Sequence, residues 1–276
     1  MSTTVRRVDG AKVRGFACLL VASATVALVA QQQGLDPKDI LKPLSDSWPT
    51  YSGDYSARRY SALKQINQAN VKNLSLAWTT AVTAGPGTVA VAPPFGPMPP
   101  AVIEGGVGDN EFVGATTIKG AVLAVNGVLY VTAPDNIWAL DARTARQLWR
   151  YTYPANQGFH IGHRGAAIYK DTVYLTTPDA HLVALDARTG KVRWDVVIAD
   201  AKRGFWSTNA PLLVRGHLLV GVAGDFDNLP GMLKSFDPET GQVQWTFYST
   251  PPPGTPGSKS GGATGGQMWM TGTYDP

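Results

Sequence analysis

Cysteine is almost missing from this 276-residue chain: Cys18 is the only one. It lies inside the apolar run from Phe16 to Ala30, so nothing after that run can form a disulfide and packing alone must hold the body together. Its place within the run, and not at its end, also argues against a lipoprotein attachment site. No basic stretch interleaved with aromatics occurs, although Lys and Arg outnumber Asp and Glu by 24 to 20. The excess charge is spread out, which argues against nucleic acid as a partner. A bilayer-spanning run is lacking too, since Phe16 to Ala30 is only about 15 residues. A nucleophile elbow, a phosphate loop, a zinc-ligand spacing and a nicotinamide fingerprint are all absent, which sets most enzyme classes aside.

What the leader does have is Arg6, Arg7, Lys12 and Arg14 ahead of the apolar run. That order is the pattern of a signal peptide. Residues 1–30 are therefore expected to be a signal peptide, with an uncleaved anchor as the alternative because Leu28 replaces the usual small residue before the cleavage point. Either way the body is expected to be exported to the periplasm. Any membrane contact would run only through an uncleaved leader.

The chain has 44% hydrophobic residues, 30 Gly and 20 Pro, enough for a large core joined by many tight turns. Its organising pattern is a repeat. Asp186-Ala187-Arg188-Thr189-Gly190 leads to Trp194, Asp141-Ala142-Arg143-Thr144-Ala145 to Trp149, and Asp237-Pro238-Glu239-Thr240-Gly241 to Trp245. The Asp residues are 45 and 51 residues apart, and each Trp follows its Asp by eight. Four-stranded propeller blades repeat at about 40–50 residues. Val128 to Val131, Val173 to Thr176 and Leu218 to Gly221 read as buried strands, each followed by a second strand ending at the Asp. Asp then caps a turn, Gly supplies positive φ, and a third strand presents the Trp to the neighbouring blade. The fold predicted is all-β, a β-propeller of four-stranded antiparallel blades, with about four present. Residues 84–120, rich in Gly, Pro and Ala, read as an irregular insertion.

The opening is more diagnostic than the repeat. Trp48, Gly53 and Arg59-Tyr60-Ser61 precede Gln65-Ile66-Asn67-Gln68-Ala69-Asn70-Val71 and Trp78. This segment resembles the quinoprotein alcohol dehydrogenases, which bind pyrroloquinoline quinone (PQQ) and place a short helix at the Gln-Ile-Asn segment. The resemblance divides the chain into the leader, an N-terminal extension at 31–64, and a partial propeller at 65–276. It implies oxidation of alcohols or sugars by hydride transfer to PQQ, a calcium or lanthanide ion, and a cytochrome c electron acceptor.

Carried over by motif, the resemblance implies that Arg164, in His163-Arg164-Gly165, contacts the quinone oxygens; His163 stands where the family has Asn. Thr177 is implied as a donor to a PQQ carboxylate and Trp269 as the indole on which PQQ stacks, the rival for Trp269 being another inter-blade Trp. Gly224 belongs to the segment that supplies the family's metal-binding Glu. Phe226 falls at the Glu itself, leaving Asp225 and Asp227 as candidate metal ligands. Lys119 falls near a family glutamate that touches PQQ, and Gly158 and Phe159 replace an adjacent cysteine pair.

The family's catalytic Asp and metal-binding Asn belong to later blades, so no residue here is assigned as general base. Eight blades need on the order of 360 residues, and Gln65 to Pro276 supply 212. The chain is therefore expected to be an N-terminal fragment, inactive in isolation. The competing reading is a non-catalytic propeller of the same repeat that binds proteins.

Overall fold

The structure, a computed structural model, describes residues 34–80, 82–83, 90–91, 97–98, 102–103, 120–133, 136–153, 163–224, 229–252, 254–258 and 265–276. The leader, Lys119, Gly158, Phe159, Asp225 and Asp227 lie outside the described residues.

Three four-stranded antiparallel sheets carry the fold. The first is β5 (Leu123–Val125), β6 (Val128–Ala133), β7 (Asn136–Asp141) and β8 (Gln147–Thr152). The second is β9 (Ala167–Tyr169), β10 (Thr172–Thr176), β11 (His181–Asp186) and β12 (Val192–Val197). The third is β13 (Leu212–Val214), β14 (His217–Val222), β15 (Met232–Phe236) and β16 (Val243–Tyr248). Each sheet pairs its strands in chain order, the meander of a propeller blade. No α-helix occurs among the described residues.

One correction follows. The Trp sits on the fourth strand of each blade and not the third. Each blade begins with a three-residue strand that sequence reading passed over. Three residues are too few to display a period of two. The next strands are buried on both faces, as the all-buried pattern of β10 shows, because blades stack on either side.

The repeat motif has the same anatomy three times. Oδ1 of Asp141 accepts from Arg143 N (3.0 Å), Thr144 N (2.9 Å) and the Thr144 hydroxyl (2.9 Å). Asp186 does the same with Arg188 and Thr189, and Asp237 with Glu239 and Thr240. A β-bulge follows in phase, between Ala139/Leu140, Ala184/Leu185 and Ser235/Phe236. The extra residue lets the outer strand turn its Trp toward the next blade.

That turn is the socket for the preceding blade. The Trp149 indole N–H donates to the Ala187 carbonyl at 2.9 Å, and a Cβ on Gly190 would lie 2.6 Å from the Trp149 ring. The Trp194 ring covers Gly241 in the same way, at 2.9 Å. Tyr130 and Tyr174 add hydroxyl bonds to the Ala187 and Pro238 carbonyls. Trp78 repeats the lock one step earlier, donating to Ala142 O at 3.2 Å. The repeat thus encodes the interface between blades as well as a turn.

The capping carboxylates respond to acid. Hydrogen bonds from Thr144 lower the pKa of Asp141, and those from Thr240 lower that of Asp237. At Asp186 burial alone would raise the pKa, but bonds from Arg193 and Thr189 outweigh it and leave the carboxyl at about 2. A carboxylate more acidic folded than unfolded contributes stability that is full above the ordinary value of 3.8 and is lost as pH falls through its folded value. Urea midpoints are expected to agree at pH 5 and 7 and to drop by pH 3. Asp186→Asn should flatten that acid limb, and an unchanged limb would count against this origin.

Two elements differ from expectation. The insertion holds two short antiparallel ladders, β1 (Val82–Thr83) with β4 (Val102–Ile103) and β2 (Ala90–Val91) with β3 (Pro97–Met98). The Gln-Ile-Asn segment is a turn followed by a single 3-10 turn at Val71–Asn73. Asn67 and Asn70 accept from backbone N–H groups there, and such side-chain bonds compete with helix.

The N-terminal extension is part of the propeller core. Leu35, Ile40 and Tyr55 join one buried cluster with Leu123, Val173 and Leu212, from all three blades. Trp48 pairs with Ala124 of β5, and the Tyr55 hydroxyl donates to Leu213 O of β13 at 2.6 Å.

Candidate functional site

The innermost strands β5, β9 and β13 are each entered through a short lead-in segment. These lead-ins are stitched together across blades. Ala121 N donates to Arg164 O at 2.8 Å, and Arg164 N donates to Thr208 O at 3.0 Å. Chain segments entering the innermost strands of a propeller line the mouth of its central channel. His163, Thr176, Ser207, Thr208 and Asn209 are buried there, a polar cluster within an apolar fold.

Arg164 is the cation of this mouth. Its guanidinium donates to the Thr208 hydroxyl at 2.6 Å and lies over the Trp269 ring, 4.4 Å from the centroid. No carboxylate pairs with it among the described residues. Burial pulls its pKa below the ordinary guanidinium value, the mark of a cation partly stripped of water.

Trp269 arrives from the far end of the chain. Residues 265–271 form no strand and cross the end of the third blade. Gly231 N donates to Gly265 O, Met268 N to Val222 O, and the Thr271 hydroxyl to Ala210 O. The segment can lie this close because Gly221 has no side chain; a Cβ there would meet the Met268 carbonyl at 1.7 Å. The indole remains 42% exposed and does not cover a turn glycine as Trp149 and Trp194 do. The described part of its segment opens no further sheet.

His163 is enclosed. Its Nδ1 accepts from Gly165 N at 3.1 Å, so the ring proton resides on Nε2, which donates to Thr176 Oγ1 at 3.2 Å. Burial and the Arg164 charge push its pKa down to about 4, so the ring is neutral at physiological pH.

Thr177, one residue beyond Thr176, faces its own turn. It donates to Asp179 Oδ1 at 2.6 Å and accepts from His181 N at 3.0 Å. Gly224 ends the described part of its loop, where a Cβ would touch Leu229 and Phe205. Among the described residues no group of three or more His, Cys, Asp or Glu is placed to hold a metal ion.

Sequence reading brought Arg164 and Trp269 forward, and the structure places them in contact. It missed Thr208, Thr176 and Asn209. Blade phase was the available signal for Thr208, since it precedes β13 by four residues as His163 precedes β9. A cleft of 420 Å³ lies elsewhere, between the N-terminal extension and the tail, lined by residues such as Tyr55, Arg58 and Tyr274. There Arg58 donates to Ser56 and Ser56 to Asp54, on the surface of the extension.

The fold and mouth define a run of β-propeller blades that present a guanidinium lying over a partly exposed indole. The family described as the glucose/ethanol/alcohol dehydrogenase β-propeller domain, with PQQ, matches residues 48–276. The chain belongs to that PQQ-dependent dehydrogenase family. It is 30% identical over 255 residues to quinohemoprotein alcohol dehydrogenase ADH-IIG of Pseudomonas putida, covering 83% of this chain and 31% of the relative. Quinohemoprotein alcohol dehydrogenase from Comamonas testosteroni superposes with a TM-score of 0.68 at 27% identity, over 91% of this chain and 37% of that one. A europium-containing methanol dehydrogenase superposes with a TM-score of 0.60 at 28% identity, over 78% of this chain and 34% of that one. The chain thus spans about a third of the length of its relatives.

Proposed function

We propose that this chain supplies the N-terminal wall of the cofactor pocket in an exported PQQ-dependent dehydrogenase that oxidises alcohols. The observation that carries the reading is the meeting of Arg164 with Trp269, two residues 105 apart in sequence that come within 4.4 Å at the channel mouth. A partly desolvated guanidinium without a carboxylate partner among the described residues fits an anionic ligand, and a partly exposed indole fits a planar one. PQQ is both.

In this reading Arg164 would hold the quinone oxygens and Trp269 would support the ring. Thr208 accepts the guanidinium at its hydroxyl and the Arg164 backbone N–H at its carbonyl. Bound PQQ supplies the hydride-accepting chemistry, while the protein orients the partners and stabilises charge. Thr177, Gly224 and Lys119 join the cofactor wall on the motif match alone. Asp225 and Asp227 are proposed on the same ground as ligands of a calcium or lanthanide ion, hard cations that favour carboxylate oxygens. Periplasmic location and electron transfer to a cytochrome c complete the proposal.

The test is PQQ titration of the full-length gene product with Ca²⁺ or La³⁺ and then with a chelator. Saturable binding, weakened at least tenfold by metal removal, with alcohol-dependent reduction of a dye, is expected. A well-folded full-length protein that binds no PQQ with either metal would overturn the reading and return the chain to the protein-binding alternative.

A further inference from the structure

The lead-in carrying Arg164 is fixed from behind by a side chain that touches no exposed surface. His163 is 2% exposed, accepts the Gly165 N–H on Nδ1, and donates from Nε2 to Thr176. Thr176 passes the chain of bonds on, donating to the Asn209 carbonyl of the third blade at 3.0 Å. On either side of this imidazole, Arg164 O accepts from Ala121 of the first blade and Arg164 N donates to Thr208 of the third. The buried ring thus ties its own lead-in to Thr176 and, through Thr176, to the third blade, next to the residue whose backbone bonds the first and third blades.

We propose that His163 is the positioning residue of Arg164: as a neutral imidazole that accepts from Gly165 and donates to Thr176, it sets the backbone from which the guanidinium reaches Thr208 and Trp269. A residue here must offer an acceptor and a donor at once, at a depth where an unmet polar group is costly. Asn can meet both needs with its amide, though with a shorter reach. Leu fills similar space and meets neither. The low pKa of His163 agrees with a ring that stays neutral in its place.

The inference rests on the proposed PQQ pocket, and the experiment separates the two. PQQ affinity of the folded, full-length protein is measured by titration for wild type, His163→Leu and His163→Asn, each beside its thermal midpoint. His163→Leu should weaken PQQ binding about tenfold, with His163→Asn restoring most of the loss. Failure of wild type to bind PQQ strikes the pocket and not the positioning role. The Trp269 environment then carries the test, as the emission difference between each protein and its Trp269→Phe counterpart. His163→Leu should alter that difference, and His163→Asn should leave it near wild type. The proposal is overturned if His163→Leu lowers the thermal midpoint yet leaves both affinity and Trp269 emission unchanged, or if Asn fails to rescue a defect that Leu causes.

Discussion

Replacing Gly190 by Val is expected to destabilise the propeller by on the order of 3–5 kcal/mol, close to the cost of deleting a buried Trp side chain. Two effects add. Gly190 has φ of +71°, where a β-branched residue is strained. A Cβ would also sit 2.6 Å from Cε3 and 2.8 Å from Cδ2 of Trp149, so the indole must leave its socket and give up its bond to Ala187. The terms can be separated. Gly127 has φ of +76° with nothing within 4 Å of its would-be Cβ, so Gly127→Ala should cost about 1 kcal/mol, the conformational part alone. Gly190→Ala should cost clearly more. The check is denaturant unfolding of both variants beside wild type, and equal losses would show that the Trp149 contact is not what Gly190 serves.

Loss of Arg164 should strike binding and not folding. Arg164→Leu removes the only cation at the mouth among the described residues, and PQQ affinity is expected to fall on the order of 100-fold, about 2.7 kcal/mol. Arg164→Lys should recover only part, because an ammonium cannot present two parallel N–H bonds to the ligand. The backbone bonds of residue 164 to Ala121 and Thr208 survive both changes, so the thermal midpoint should move little. Isothermal titration beside a melting curve checks the split. A large drop in midpoint with unchanged affinity would assign Arg164 to structure instead.

Much of this fold was legible because its interfaces are written in the repeat. Asp, Thr and Gly recur at fixed offsets because one turn needs an Asx cap, a second acceptor and room for a neighbour's ring. Trp recurs because each blade must reach the next. The first blade bends the rule in a readable way, with Ala145 at the Gly position in a left-handed conformation, φ +58°. The innermost strands were hidden because three residues carry no period. The path of 265–271 was hidden because it depends on a glycine in another strand, Gly221, leaving room for a backbone.

The site divides along the same line. Arg164 and Trp269 could be named from motifs, but not their contact, which arises when a tail with no strand pattern crosses a blade. His163 stood out in the sequence only as the residue in place of the family's Asn. Its two hydrogen bonds, which depend on where Thr176 and Gly165 fall in three dimensions, could not be read. The candidate metal ligands Asp225 and Asp227 belong to a loop outside the described residues, and Lys119 to another.

The central claim is that Arg164 and Trp269 act together as one wall of a PQQ pocket. A double-mutant cycle on PQQ affinity, with Arg164→Leu, Trp269→Leu and the pair in the full-length protein, tests it most directly. Side chains in contact that serve one ligand should be non-additive by about 1–2 kcal/mol, the double variant losing less than the sum of the singles. Strict additivity, or affinity untouched by either change, would contradict the account.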